Sequence, residues 1–133
     1  MRPVSTEYYL ADESTYPLLH DLLTATDADD VPFGFPTVYA VRQGILLGFL
    51  GTLESPEAVV AGPLCLDPTL KAPMVTALRL TEVYEQVLKQ AGCTSYLFGV
   101  DLSNLPWRAV LAKRGYLPYA TDATSEWFKK EID

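Results

Sequence analysis

An apolar run, a tight loop and one long amphipathic helix follow one another in the middle of the chain, and this succession constrains the fold most. The apolar run covers residues 59–66. Over residues 77–91, apolar side chains recur three or four positions apart with charged ones between them, which predicts a helix with one buried face. Pro73 suits its first turn and Gly92 the residue past its end. A second apolar run, 96–100, completes a strand–helix–strand unit, and the free N–H groups at the start of such a helix bind anionic cofactors.

Composition argues against several classes of partner. The 133 residues carry a net charge of −7, from 10 Lys and Arg against 17 Asp and Glu. A protein that binds duplex nucleic acid needs a basic face, so we expect no nucleic-acid partner. Every apolar run is shorter than the ~20 residues that a membrane helix needs, and an acidic chain is not attracted to an anionic bilayer, so we expect no membrane partner. The length predicts a single domain over residues 1–133.

The cysteines and aspartates do not form a recognisable metal motif. Cys65 and Cys93 are too few for a disulfide framework, lack metal-ligand spacing and adjoin apolar runs, where a thiol packs as a small hydrophobe. Asp27, Asp29 and Asp30 lack the glycine and the closing glutamate of a calcium loop. We therefore expect no metal, a solvated loop at the aspartates and a reducing compartment, the cytoplasm.

Strands flank the central unit on both sides. Residues 38–42 alternate, Gln43-Gly44 suits a turn, and the apolar run 45–53 returns, which predicts a hairpin. Residues 58–66 predict a third adjacent strand, in which Gly62-Pro63 implies a bulge or a loss of pairing on one side, because proline cannot donate to a ladder.

The ends of the chain complete the element order. Asp12 opens a first helix after a short strand, Asn104 or Ser103 can cap a helix after the 96–100 strand, and Gly115 ends that helix. Irregular residues 26–36 predict a loop or a broken short helix. Two closing strands are predicted at residues 116–120 and 125–130. The order β-α-(α)-β-β-β-α-β-α-β-β predicts an α/β (α+β) fold with a mixed sheet and helices on both faces.

Two stretches of this order resemble the GNAT (GCN5-related N-acetyltransferase) superfamily. In that family the strand before the long helix ends in hydrophobic-x-Pro and continues Arg-Gly-x-Gly-x-Gly/Ala. Here Leu66-Asp67-Pro68 matches the strand end, and Lys71 falls at the arginine. Further on the family reads Asn-x-x-Ala, then Tyr, then Gly-Phe, and here Asn104 and Gly115-Tyr116 match. The resemblance covers residues 38–130 well and the first 36 loosely, and it implies a mostly antiparallel sheet of six to seven strands.

The resemblance also implies a cofactor, acetyl-CoA or another acyl-CoA. Its pyrophosphate would lie on N–H groups at the start of the long helix, and its pantetheine arm would lie between the 58–66 and 96–100 strands, which splay apart. An amine would attack the thioester directly, with a base to deprotonate it and commonly a tyrosine to protonate the thiolate. The cofactor-binding residues implied are Leu64, Leu66, Lys71, Ala72, Met74, Val75, Thr76 and Asn104.

Four residues depart from the family pattern. Met74 adds a long side chain where glycines let backbone approach a pyrophosphate, and Pro73 removes one N–H donor. Lys71 is a point charge without the bidentate fork of arginine. Leu111 stands at the tyrosine's place and cannot donate a proton.

Several side chains are candidates for the missing catalytic groups. Glu54 and Glu57 flank the turn before the splayed strand, where family members often keep a general base, although a solvated turn explains them as well. Tyr96, Tyr116 or Tyr119 could replace the acid, or pack in the core with a hydrated hydroxyl. His20 is remote in sequence from the other candidates, and Asn104 either bonds the cofactor or caps a helix.

The sequence leaves three hypotheses open. The first is a GNAT N-acyltransferase acting on a small-molecule or protein amine, with cationic acceptors favoured by the acidic chain. The second is an inactive GNAT-like structural or interaction protein, for example a bacteriophage virion or accessory protein, which binds other protein subunits. The third is a sensor that binds coenzyme A without chemistry. In each case the edge strand at residues 125–130 offers a surface for a homodimer, although its lysines discourage pairing.

Overall fold

The computed structural model describes residues 6–25, 34–53, 55 and 58–132. They form seven strands and three helices in the predicted order. The second short helix suggested near residues 26–36 falls largely on residues outside these ranges. The strands are β1 (Glu7–Leu10), β2 (Val38–Arg42), β3 (Ile45–Leu53), β4 (Val60–Leu66), β5 (Ser95–Asp101), β6 (Leu117–Thr121) and β7 (Ser125–Glu131), and the helices are α1 (Tyr16–Ala25), α2 (Pro73–Gln90) and α3 (Leu105–Lys113).

The strands form one sheet in the order β1-β2-β3-β4-β5-β7-β6. Every neighbouring pair is antiparallel except β4 and β5, which are parallel and joined through α2. A parallel pair needs a crossover connection, and α2 supplies it. The prediction of a mixed, mostly antiparallel sheet is confirmed. The prediction of an edge strand at residues 125–130 is wrong, because β7 pairs with β5 on one side and with β6 on the other, and the edges of the sheet are β1 and β6. None of the helices in the described ranges is long and apolar enough to cross a membrane.

The parallel pair separates soon after it begins. Only Val60 and Ala61 of β4 pair with β5, opposite Leu97 and Phe98. The next residue, Gly62, has a φ of +147°, and the register between β3 and β4 shifts at this point. A side chain is strained at such a φ, so glycine allows the strand to turn away from β5 here. The loss of pairing on one side that Gly62-Pro63 predicted is present.

Helices cover both faces of the sheet. Leu80, Tyr84 and Leu88 of α2 are almost completely buried in one core with Trp107 and Leu111 of α3. On the opposite face, a smaller core packs α1 against β3 and β4; it contains Ala11, Leu19, Leu23, Phe49 and Cys65. Each fully buried Leu or Phe side chain in these cores contributes roughly 1.5–3 kcal/mol relative to exposure. The two-sided packing holds β4 firmly at the place where it leaves β5.

Local sequence signals placed most element ends correctly. The β2–β3 hairpin has the predicted bounds, and its turn residues Gln43 and Gly44 have positive φ values of 53° and 75°. Helix α2 begins at Pro73, and Gly92, with a φ of +85°, follows its end. The strand predicted at 58–66 begins only at Val60, and the other strand ends differ by one residue or less. These small differences arise because hydrogen bonds with a neighbouring strand decide where pairing starts.

Candidate functional site

A cavity of about 260 Å³ fills the gap where β4 and β5 separate. Its walls include Ala61 to Leu64 of β4 and Phe98 to Asp101 of β5, and Trp107 of α3 adds an aromatic wall. Most of these side chains are apolar. The cavity therefore suits a narrow chain that is largely apolar, with few polar groups to fix its position.

A second cavity, of about 320 Å³, adjoins the first. It lies between the end of β4, the first turn of α2 and the start of α3. Leu64, Asn104 and Trp107 line both cavities, so the two are neighbouring parts of one slot. We call this pair of cavities the slot. It leads from the start of α2 to the gap in the sheet.

The start of α2 offers unpaired backbone donors near the outer end of the slot. Among the described residues, the N–H groups of Lys71, Ala72 and Met74 have no hydrogen-bond partner, and the N-cap Ala72 provides no side-chain cap. Pro73 has no N–H. Three free amides at a helix N-terminus make an anion-binding surface, and the helix dipole adds to it.

The loop before α2 is held in place by Asp67. Its N–H donates to the carbonyl of Leu47 at 2.7 Å, and its Oδ1 accepts from the N–H and hydroxyl of Thr69 at 2.8 and 2.7 Å. The hydrogen bonds from Thr69 lower the pKa of the Asp67 carboxyl. With these contacts in place, the amides of Lys71 and Ala72 make no hydrogen bond within the loop as the structure describes it. Lys71 is exposed at this tip.

The structure brings some of the predicted cofactor residues together and separates others. Four of them line the slot: Leu64, Leu66, Met74 and Asn104. Lys71, Ala72 and Val75 are exposed at the tip of α2, whereas Thr76 is buried on the inner side of the helix. Whether these residues bind a cofactor stays a prediction. Glu54 and Glu57 lie outside the described residues.

Asn104 was predicted either to cap a helix or to contact a cofactor, and its place in the structure allows both. Its Oδ1 accepts a hydrogen bond from the backbone N–H of Trp107 at 3.3 Å, so it caps α3. The same residue lines both cavities of the slot. Capping orients Asn104 against the slot, so the helix cap and a contact with a ligand are compatible.

The candidate tyrosines lie away from the slot. The hydroxyls of Tyr96 and Tyr116 bond to each other, and Tyr96 also donates to Glu85 at 3.1 Å. Burial raises the pKa of both phenols, that of Tyr116 to about 12. Tyr119 is 60% exposed. None of the three lines the slot, and Leu111 is completely buried in the core.

Sequence reasoning did not identify the two tryptophans, which both line the cavity at the strand gap. Trp107 stands where the Asn-x-x-Ala pattern has its alanine, and spacing from Asn104 was the signal that could have found it. Trp127 Nε1 donates to Asp122 Oδ2 at 2.9 Å. Its ring lies over Gly99 so closely that a Cβ there would be 2.7 Å from a ring carbon. No local pattern reveals this second contact, because it depends on the pairing of β5 with β7.

Comparisons with known proteins bear on the fold. No protein-family model and no curated protein matches the sequence. The fold is similar to that of yncA from Salmonella typhimurium, solved with its cofactor acetyl-CoA, with a TM-score of 0.77, 10% identity, and 97% and 95% of the two chains covered. An acetyltransferase of the GNAT family from Staphylococcus aureus gives 0.74, 7% identity, and 97% and 100% coverage. The aminoglycoside 6'-N-acetyltransferase from Enterococcus faecium gives 0.73, 18% identity, and 96% and 97% coverage. This chain therefore has the fold of the GNAT acetyltransferases.

Proposed function

We propose that this protein is an acyl-CoA-dependent N-acyltransferase. The observation that carries the proposal is the slot between β4 and β5, with unpaired amides at its outer end. A nucleotide thioester combines an anionic pyrophosphate with a long, thin and mostly uncharged arm. The amides of Lys71, Ala72 and Met74 suit the former and the apolar walls of the slot suit the latter.

The chain's own residues would hold such a cofactor in stated places. The Lys71 ammonium and the free amides of the α2 tip would bind the pyrophosphate. Leu64, Leu66 and Pro106, which line the slot, would pack against the arm. Met74 occupies part of the wall at this end but leaves the 320 Å³ cavity open, so the residues present fit the cofactor.

The chemistry of the site follows from what lines it. Acyl-CoA, when bound, would supply a thioester, with the acyl carbon as electrophile and the thiolate as leaving group. The walls of the slot would limit the access of water to the thioester and so limit hydrolysis. We propose Glu57, or else Glu54, as the group that takes the proton from the amine. Leu53 lines the cavity, and Glu54 follows it in sequence.

Calorimetry with acetyl-CoA tests the proposal. Binding at a ligand concentration of 100 times Kd would stabilise the fold by about 2.7 kcal/mol. Lys71→Ala should weaken binding roughly three- to tenfold, because one charge-assisted contact to a phosphate is lost. Lys89→Ala removes the same charge from the last turn of the same helix and should leave affinity unchanged.

Two results would contradict the proposal. One is the absence of any binding heat or thermal shift with acetyl-CoA. The other is equal affinity in wild type and Lys71→Ala, which would remove the phosphate site from the argument. If acetyl-CoA binds, formation of free thiol with a panel of amines then measures transfer.

One observation favours a second candidate, a non-catalytic protein of the same fold. Among the described lining residues of the slot, no side chain is a hydroxyl or a thiol, and Leu111 is buried where the family has its tyrosine. A chain of this kind would use the slot or its surroundings to bind a cofactor or another protein. Binding of acetyl-CoA with no transfer to any amine would favour this candidate.

A further inference from the structure

The cavity at the strand gap reaches both faces of the sheet. Phe98 and Val100 of β5 lie in the core with α2 and α3. Side chains alternate along a strand, so Gly99 and Asp101 belong to the opposite face. All four residues line the same cavity. The cavity therefore has a second entrance, on the face of the sheet that carries Gly99 and Asp101 and away from the α2 tip.

Trp127 forms a fixed aromatic wall at this entrance. It is opposite Gly99 in the β5–β7 register, and its ring lies against the Cα of that glycine. The Asp122 carboxylate holds its indole N–H at 2.9 Å, and Asp122 itself accepts N–H bonds from Thr124 and Ser125 at 2.9 and 2.8 Å. The ring is only partly buried. An aromatic surface held in this way is suited to attract a cation.

Asp101 is the one charged residue among the described residues that line this cavity. Its Oδ1 accepts from the N–H and hydroxyl of Ser103 at 2.8 and 2.6 Å, and Oδ2 takes part in no hydrogen bond or ion pair among the described residues. Arg108 does not neutralise it, because that guanidinium bonds Glu126 and the carbonyl of Leu102 at 2.8 and 2.9 Å. In the part of the chain that the structure describes, the anionic group at this entrance therefore has no counter-ion.

We propose that Asp101 and Trp127 form the acceptor subsite and hold an ammonium group that is not the reacting nitrogen. This inference rests on the proposed function. The hydrogen bonds from Ser103 lower the pKa of Asp101, so the carboxylate is ionised and a poor base at neutral pH. An ammonium beside it stays protonated and cannot attack a thioester. The acceptor is therefore at least dicationic, and an aliphatic diamine is the simplest member of this class.

A titration of the tryptophan indole N–H resonances tests the binding step. The chain has two tryptophans, and Trp127→Phe assigns the two signals. Butane-1,4-diamine should shift the Trp127 resonance saturably, whereas butane-1,4-diol at equal ionic strength should not. Asp101→Asn keeps the acceptor for Ser103 and removes the charge, and it should weaken diamine binding about fivefold, as expected for an exposed ion pair.

Asp12→Asn is the matched control. Asp12 accepts the same two bonds from Ser14, at 3.0 and 2.5 Å, but it lies in the turn before α1 and does not line the cavity. This variant should bind the diamine like wild type. Equal shifts with diol and diamine, or equal diamine affinity in Asp101→Asn and wild type, would overturn the inference.

Turnover separates this inference from the proposed function. With acetyl-CoA, wild type should show a higher kcat/KM for butane-1,4-diamine than for n-butylamine, and Asp101→Asn should bring the two values within about twofold. Calorimetry with acetyl-CoA on the same variants reports the cofactor site. Normal cofactor binding with equal wild-type kcat/KM values for the two amines refutes the acceptor subsite alone. Absent cofactor binding refutes the proposed function, while the diamine titration still reports on Asp101 and Trp127.

Discussion

A buried hydrogen-bonded chain joins α2 to the sheet next to the slot, and its energetics can be predicted. Thr52 of β3 donates its hydroxyl proton to the carbonyl of Pro36 at 2.7 Å, and its Oγ1 lies 2.6 Å from the hydroxyl of Tyr84. Because the threonine proton is already used, Tyr84 is the donor in the second bond. Thr52 is 6% exposed and Tyr84 is completely buried, so both hydrogen bonds lie in the protein interior.

The two deletions should differ in cost. Tyr84→Phe removes one bond and leaves Thr52 bonded to Pro36, so it should destabilise the fold by about 1 kcal/mol. Thr52→Val leaves two buried groups unpaired, the Pro36 carbonyl and the Tyr84 hydroxyl, and should cost roughly 2–4 kcal/mol. In the double variant the phenol is gone, so the total should fall short of the sum by about 1–2 kcal/mol.

Urea denaturation of the four proteins measures these free energies of unfolding, with equal m-values as the check on a shared unfolding transition. Tyr119→Phe is the control, because this 60% exposed hydroxyl should matter by less than about 0.5 kcal/mol. Strict additivity of Thr52→Val and Tyr84→Phe would refute the reasoning. So would a larger cost for Tyr84→Phe than for Thr52→Val.

Two further predictions concern the contacts of Trp127. Gly99→Ala should cost about 1–3 kcal/mol in urea denaturation, because a Cβ there meets the Trp127 ring at 2.7 Å; the Trp127 indole resonance should move, and an unmoved resonance would contradict the contact. Hydrogen bonds from Trp127 and the following amides lower the pKa of Asp122 from 3.8 to about 2, so the native state binds fewer protons than the unfolded state. The stability that Asp122 contributes is complete above pH ~4 and is lost as the pH falls towards 2. Asp122→Asn should flatten the decrease in Tm between pH 4 and 2, and an unchanged slope would show that Asp122 does not contribute.

Much of the fold was predictable from the sequence because its signals are local. The alternating residues 38–42 and the apolar run 45–53, with Gln43-Gly44 between them, determined the hairpin to the residue. Pro73 and Gly92 marked the ends of α2, since each suits a backbone conformation found at one end of a helix. Gly62-Pro63 predicted where β4 would lose its neighbour, because it combines a missing donor with a permissive φ. The slot's position was thus implied by two residues.

The composition of the slot was only partly predictable. The family motifs named Leu64, Leu66, Met74 and Asn104, and all four line the slot. The same motifs gave no indication that Trp107 would line both of its cavities. The tyrosines considered as acids are instead buried or exposed elsewhere. These tyrosines lie away from the slot because of the face of the sheet on which each one stands. That face is determined by the burial of the apolar side chains of the core as a whole.

By itself, the sequence determined the elements, their order and the point at which two strands part. Capping, turn and alternation rules act over a few residues and need no distant partner. Only the tertiary structure decided that Trp127 lies on Gly99 beside Asp101, and that Tyr84 reaches Thr52. Such contacts depend on sheet register and helix docking, which are set by burying all the apolar faces together rather than by any neighbouring residues.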